Sequence, residues 1–107
     1  MQTEYVFKFT PLAQSDIEEA LEYISVDLDN PAAARKLFER INSAIELICT
    51  FPFSQPDCGV YLIADKNIRH VNIGNYVLIY EVVEANREIH ILRFKYSKMD
   101  FSSINIK

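Results

Sequence analysis

The period of the apolar positions changes twice along the chain. "TEYVFKF" (Thr3–Phe9) alternates and is rich in aromatic residues, which predicts a strand. From Ala13 the period becomes helical: Ala13, Ile17, Ala20, Leu21, Ile24 and Leu28 form one stripe. Thr10 before Pro11 supplies a cap and a first helical residue. Asp16, Glu18 and Glu19 then fall early in the helix, where negative charge is favourable. "DNPAAARKLFERI" repeats the signal, with Asn30 as cap, Pro31 as opener, and a stripe of Ala34, Leu37, Phe38, Ile41, Ala44, Ile45 and Ile48. A linker of about two residues makes the pair a tight antiparallel hairpin.

"FPFSQPD" (Phe51–Asp57) carries two prolines and predicts a loop. Strand-like runs follow: "VYLIA" and "IRHVNI", either one interrupted strand or two short ones, then "NYVLIYEVV" and "EIHILRFKY". "NIGN" and "EANRE" between them are hairpin turns. The order is β-α-α-β-β-β. Short turns make the last three strands antiparallel neighbours. The simplest fold is α+β: an antiparallel sheet with the N-terminal helical hairpin packed on one face, a single domain over residues 1–107.

"GNYVLIYEV" fits that fold awkwardly, because it is apolar on both sides. Tyr76, Leu78, Tyr80 and Val82 are expected to face the helices, by the same spacing as Leu92, Phe94 and Tyr96. Val77 and Ile79 then lie on the opposite face, with Ile91, Arg93 and Lys95 beside them and Arg69, Val71 and Ile73 joining from the preceding strand. The result is an apolar strip edged by Arg69, Arg93 and Lys95. Three occupants are open: the tail "SKMDFSSINIK", a partner chain, or a ligand in a cleft. A second copy of the chain is among the candidate partners.

Composition narrows the function. Half the residues are hydrophobic and a quarter charged, which is globular rather than disordered. The N-terminus has no signal-peptide pattern and no run could cross a bilayer, so a cytoplasmic protein without membrane contact is expected. Cys49 and Cys58 read as reduced thiols. The net charge of −4 conceals an asymmetry: residues 1–57 hold ten acids and four bases, and the rest five acids and seven bases. Bulk charge therefore excludes general nucleic-acid binding but leaves room for a local basic patch.

There is no P-loop, GxGxxG, HExxH or CxxC. His70 and His90 lack a neighbouring cysteine or carboxylate at ligand spacing, so neither a metal nor a cofactor is expected. What remains is the group Arg69, Arg93, Lys95, Tyr96 and Lys98. Metal-free cleavage of RNA needs a base, an acid and cations that stabilise a phosphorane, and this group offers the cations and a proton donor. The bland alternative is that Arg69 and Arg93 pair across the sheet with an acid such as Glu81.

"ALEYISVDLDNPAAARKLFERINSAIELICTFP", "IRHVNIGNYVLIYEV" and "IHILRFKYSKMD", in that order over residues 20 to 100, resemble the RelE/ParE superfamily of bacterial type II toxins, also called plasmid-stabilisation proteins. "NPAAA" and the terminal "FP" of the helical stretch look more like the ParE branch. The resemblance implies a growth-inhibiting toxin neutralised by a cognate antitoxin. ParE-type members poison DNA gyrase; RelE-type members cut messenger RNA on the ribosome and are metal-independent endoribonucleases. On the second reading Arg69, Arg93, Lys95 and Tyr96 would be catalytic. Arg69 matches the arginine of the family's "R…G-Y" stretch, Tyr76 and Tyr80 its "Y-x-x-x-Y", and Arg93 the basic residue of the penultimate strand. Tyr96 falls near a Tyr or His of the ribonucleases. Val77 departs, because the family commonly has an arginine there; with the negative net charge this favours the gyrase reading. Antitoxin or target binding is expected of Val77, Ile79, Ile91 and Lys98. A binding module that has lost toxicity is the third reading.

Overall fold

The computed structural model describes residues 5–53 and 67–96. "VYLIA", Cys58, Lys98 and the tail from Ser97 lie outside the described residues. Within them the order is β1 (Val6–Phe9), α1 (Pro11–Glu22), a π-helical turn (Tyr23–Asp27), α2 (Pro31–Thr50), β2 (Ile68–Ile73), β3 (Tyr76–Val83) and β4 (Glu88–Tyr96).

Both helix starts form as the caps dictate. Thr10 Oγ1 accepts the Ala13 amide at 3.1 Å, and Asn30 Oδ1 accepts that of Ala33 at 3.1 Å, each ahead of a first-turn proline. Helical backbone continues past α1 through the π turn, which rotates the apolar stripe. Ile24 still packs on the core, but Leu28 is exposed, and so is Phe38 on α2.

The sheet order is β1-β4-β3-β2. β2, β3 and β4 form the expected antiparallel meander, with Gly74 at φ +61° in the β2–β3 turn. β1 joins β4 in parallel, pairing Val6 with Glu88 through Phe9 with Ile91, so the whole sheet is mixed. The connection from β1 to β4 runs through both helices, as a parallel neighbour requires.

One face of the sheet lies under the helices. Ile73, Leu78, Tyr80, Val82, Ile89, Ile91 and Phe94 meet Ile17, Leu37, Ile41, Ile45 and Ile48 there, with Val71 and Tyr76 at the margin. The tyrosine side of β3 therefore faces inward as expected. Val77 and Ile79 fall outside this cluster, yet both are fully buried, so the anticipated open strip is not surface.

Two neighbouring assignments are corrected. Ile73, Val71 and Arg69 take the face turned to the helices, because antiparallel pairing sets them opposite Tyr76, Leu78 and Tyr80, and the first two pack on the core there. Ile91 does too. Ile79 opposes Arg93 while Tyr80 opposes Ile91, so Leu92 is an extra residue in β4. That bulge shifts the phase of the alternation, which is why counting back from Phe94 through Leu92 turns Ile91 to the wrong face.

Candidate functional site

β1 covers only the first half of β4. Beyond Ile91 the edge of β4 is taken up by α1 and the residue before it. Thr10 donates its amide to Ile91 O and its hydroxyl to Leu92 O, both at 3.0 Å, so the bulged carbonyl finds a partner. One turn and a half further, Asp16 Oδ2 accepts the Phe94 amide at 3.1 Å. A side chain thus supplies the hydrogen bond that a longer β1 would have made.

The same carboxylate gathers two cations. Arg93 donates Nε to Oδ2 at 2.7 Å and Nη2 to Oδ1 at 3.1 Å, a two-point fork. Lys95 Nζ lies 3.3 Å from Oδ1. By strand alternation Arg93 and Lys95 leave the sheet on the face of Val77 and Ile79 and come round the β4 edge to reach α1. The side chains of Asp16 and Arg93 are only 6% and 10% exposed. Burial pushes the Asp16 carboxyl up, but the bonds from Arg93 and the Phe94 amide, with the charges of Arg93 and Lys95, outweigh it and hold it below the ordinary aspartate value.

Beside this clamp is a shallow cleft of about 290 Å³ between α1 and the end of the sheet. Glu19, Tyr23, Tyr76, Lys95 and Tyr96 line it, over Phe94. Tyr76 stacks on Phe94 at 4.8 Å between centroids, and Tyr96 meets Tyr76 edge-on at 5.8 Å. Burial first, then the neighbouring Tyr23 and Tyr96, raise the Tyr76 phenol above its usual value. It stays protonated at neutral pH and is no base.

The residues singled out in the sequence do not form one group. Lys95 and Tyr96 share the cleft, and Arg93 stands behind it in the clamp. Arg69 is elsewhere. It sits on β2, at the far edge of the sheet, with its Nε 2.8 Å from Asn67 Oδ1 and its guanidinium 5.1 Å from the centre of the Phe53 ring. Arg93 pairs with Asp16 rather than Glu81. Of the binding residues expected, Val77, Ile79 and Ile91 are fully buried and offer no docking surface; Lys98 lies outside the described residues. Asp16 went unnoticed except as a helix-start charge, because its partners are 77 and 78 residues away.

His90 also differs from expectation. Its Nε2 is 2.9 Å from Glu88 Oε1, since residues two apart on a strand share a face. Lys8 Nζ approaches the other oxygen of Glu88 at 3.0 Å. These two bonds, His90's the larger, lower the Glu88 carboxyl. No group of three metal-ligating side chains occurs among the described residues.

A further feature is a groove of about 500 Å³ between β1 and α2, lined by Tyr5, Val6, Phe7, Asn42, Ile45 and Glu46, with buried Cys49 at its floor. β1 is an edge strand, and Val6, Phe7 and Phe9 are all exposed, the two rings meeting edge-on at 5.6 Å. No helix among the described residues is long and apolar enough to cross a membrane.

Similar proteins share this architecture. A solved structure of the chromosomal ParDE toxin–antitoxin system from P. aeruginosa matches at a TM-score of 0.70 and 18% identity, covering 89% of this chain and 98% of that one. The toxin–antitoxin complex RelBE2 from Mycobacterium tuberculosis matches at 0.62 and 18% identity, covering 88% and 99%. No curated protein matches in sequence. The family described as ParE toxin of type II toxin–antitoxin system, parDE, matches residues 7–101. That span takes in all of the described elements but the first residue of β1, and the chain belongs to the ParE toxin family.

Proposed function

We propose that this toxin is held by a cognate antitoxin and, when released, acts on DNA gyrase rather than cutting messenger RNA. The observation that carries the choice of target is the clamp on Asp16. A nuclease needs unpaired cations converging where the phosphorane forms. Here Arg93 and Lys95 are both engaged by one buried carboxylate, and Arg69 stands at the far edge of the sheet. Val77, where an RNA-cutting relative would want an arginine, is apolar and fully buried. Tyr76 has its phenol raised rather than poised for proton transfer.

The antitoxin reading is supported by the β1 side of the molecule. An edge strand with exposed Val6, Phe7 and Phe9 beside an apolar groove suits a partner that adds a strand or lays a helix there. This surface replaces the strip of Val77, Ile79 and Ile91 as the docking candidate.

Induced expression separates the two targets. Gyrase-linked DNA breaks with intact transcripts are the expected result. Discrete cuts inside translated codons, mapped by primer extension, would overturn the gyrase reading. The same cells expressing the product of a neighbouring small reading frame should recover growth. No growth defect at any level of expression would instead favour a binding module that has lost toxicity.

A further inference from the structure

The cleft at the end of the sheet has an unusual wall. Residues 11–30, which are α1 and the turn after it, carry six acids and no lysine or arginine. Of those acids, Asp16 is neutralised by the clamp, while Glu19 is exposed, lines the cleft and makes no ion pair among the described residues. Tyr23, where the turn continues the helix, and Tyr96, on β4, are 50% and 44% exposed, and Tyr76 and Phe94 complete the aromatic lining. Lys95, the one cation of the lining, is drawn onto Asp16.

Tyrosine faces are negative at the centre of the ring, and a carboxylate beside them adds to the same field. Phosphate finds little to hold it there, since Lys95 is drawn onto Asp16. A guanidinium suits the wall: flat enough to lie on a phenol ring, and able to donate to a carboxylate at its edge. About 290 Å³ is room for one such side chain.

We propose that this cleft receives an arginine side chain from a basic segment of the antitoxin, seated on Tyr23 and Tyr96 and bonded to Glu19. The proposal rests on the toxin–antitoxin reading and names a second contact, distinct from the β1 groove. The acidic helix draws the basic segment in, and the tyrosines select where along it an arginine stops.

The test uses the full chain and three probes: an acetylated, amidated tetra-arginine peptide, its tetra-citrulline counterpart, and a ten-nucleotide uridine oligomer. Tyrosine ring resonances are followed during titration. The arginine peptide should shift Tyr23 and Tyr96, and the citrulline peptide should not. The Tyr23→Ala/Tyr96→Ala variant should weaken the arginine peptide about tenfold. Glu19→Gln, a surface change that leaves both rings in place, should weaken it about threefold. Arginine-peptide binding that is equal in wild type and both variants would overturn the site. So would ring shifts caused by the uridine oligomer alone. A second arm measures the antitoxin itself. Failure to bind the wild-type chain would sink the toxin–antitoxin reading, with the peptides still deciding the cleft. Equal binding to wild type and the double-tyrosine variant would leave that reading intact and remove the antitoxin as the occupant.

Discussion

Two strand edges in this molecule lie next to each other and are treated in opposite ways. The second half of β4 is closed by Thr10 and Asp16, which supply side-chain hydrogen bonds where no strand runs. The outer edge of β1 carries exposed Val6, Phe7 and Phe9. An open edge is a hazard that proteins usually cover or charge. Here the covered edge is a structural joint, and the uncovered one is where a partner strand or helix is expected. Charge follows the same division, since the joint uses two cations and one acid, all largely withdrawn from water.

If the joint is structural, breaking it should cost stability first. Asp16→Ala leaves Arg93 buried without its carboxylate and is expected to lower the unfolding free energy by about 3–5 kcal/mol, read from urea denaturation. The same variant combined with Arg93→Ala should cost less than the sum of the two single changes. Near-additive costs would mean that the clamp carries little.

The clamp also sets an acid limit. The folded Asp16 carboxyl lies below its ordinary value, so the folded state binds its proton less readily than the unfolded state. Its contribution is therefore fully present above the unfolded value of about 4 and is lost as pH falls below that, through the folded pKa. Urea midpoints taken from pH 7 down to pH 2 should fall steeply in the wild type over that lower window. Asp16→Asn should flatten the fall. An unchanged slope in the variant would assign the acid limb to other carboxylates.

Thr10→Val removes the cap on α1 and the donor to Leu92 O, and about 1–2 kcal/mol should be lost. At the bare edge the expectation reverses. Phe7→Ser with Phe9→Ser should change stability by no more than about 0.5 kcal/mol per site, as exposed positions do. The same pair should weaken antitoxin binding about tenfold, a loss of about 1.4 kcal/mol. A large stability loss with unchanged binding would show that the two edges had been assigned the wrong way round.

How much of this was legible in the sequence depended on range. Thr10–Pro11 and Asn30–Pro31 announce helix starts because a cap acts within three residues. The inward face of β3 was legible from the every-second-residue spacing of Tyr76, Leu78, Tyr80 and Val82, which no extra residue in β3 interrupts. The parallel placement of β1 was not, since nothing in "VFKF" records a neighbour more than 80 residues on. Nor was the partner of Arg93. For an arginine on a strand, cross-strand pairing suggests an acid such as Glu81, whereas the fold delivers Asp16 from a helix. Val71 and Ile73 were misplaced for a related reason: the face of β2 follows from its register on β3, which the turn at Gly74 sets.

The bulge at Leu92 has a consequence for how the strand could be shortened. With that residue deleted, β4 would read Ile89, His90, Ile91, Arg93, Phe94, Lys95, Tyr96, an unbroken in-and-out series in which each residue keeps its partner on β3. The core side would lose no packing residue, because Leu92 is not part of the cluster beneath the helices. The loss would fall on the Thr10 hydroxyl, which would have no Leu92 carbonyl to reach. Leu92 is thus a spacer whose length is measured against the entry of α1 rather than against the sheet that contains it.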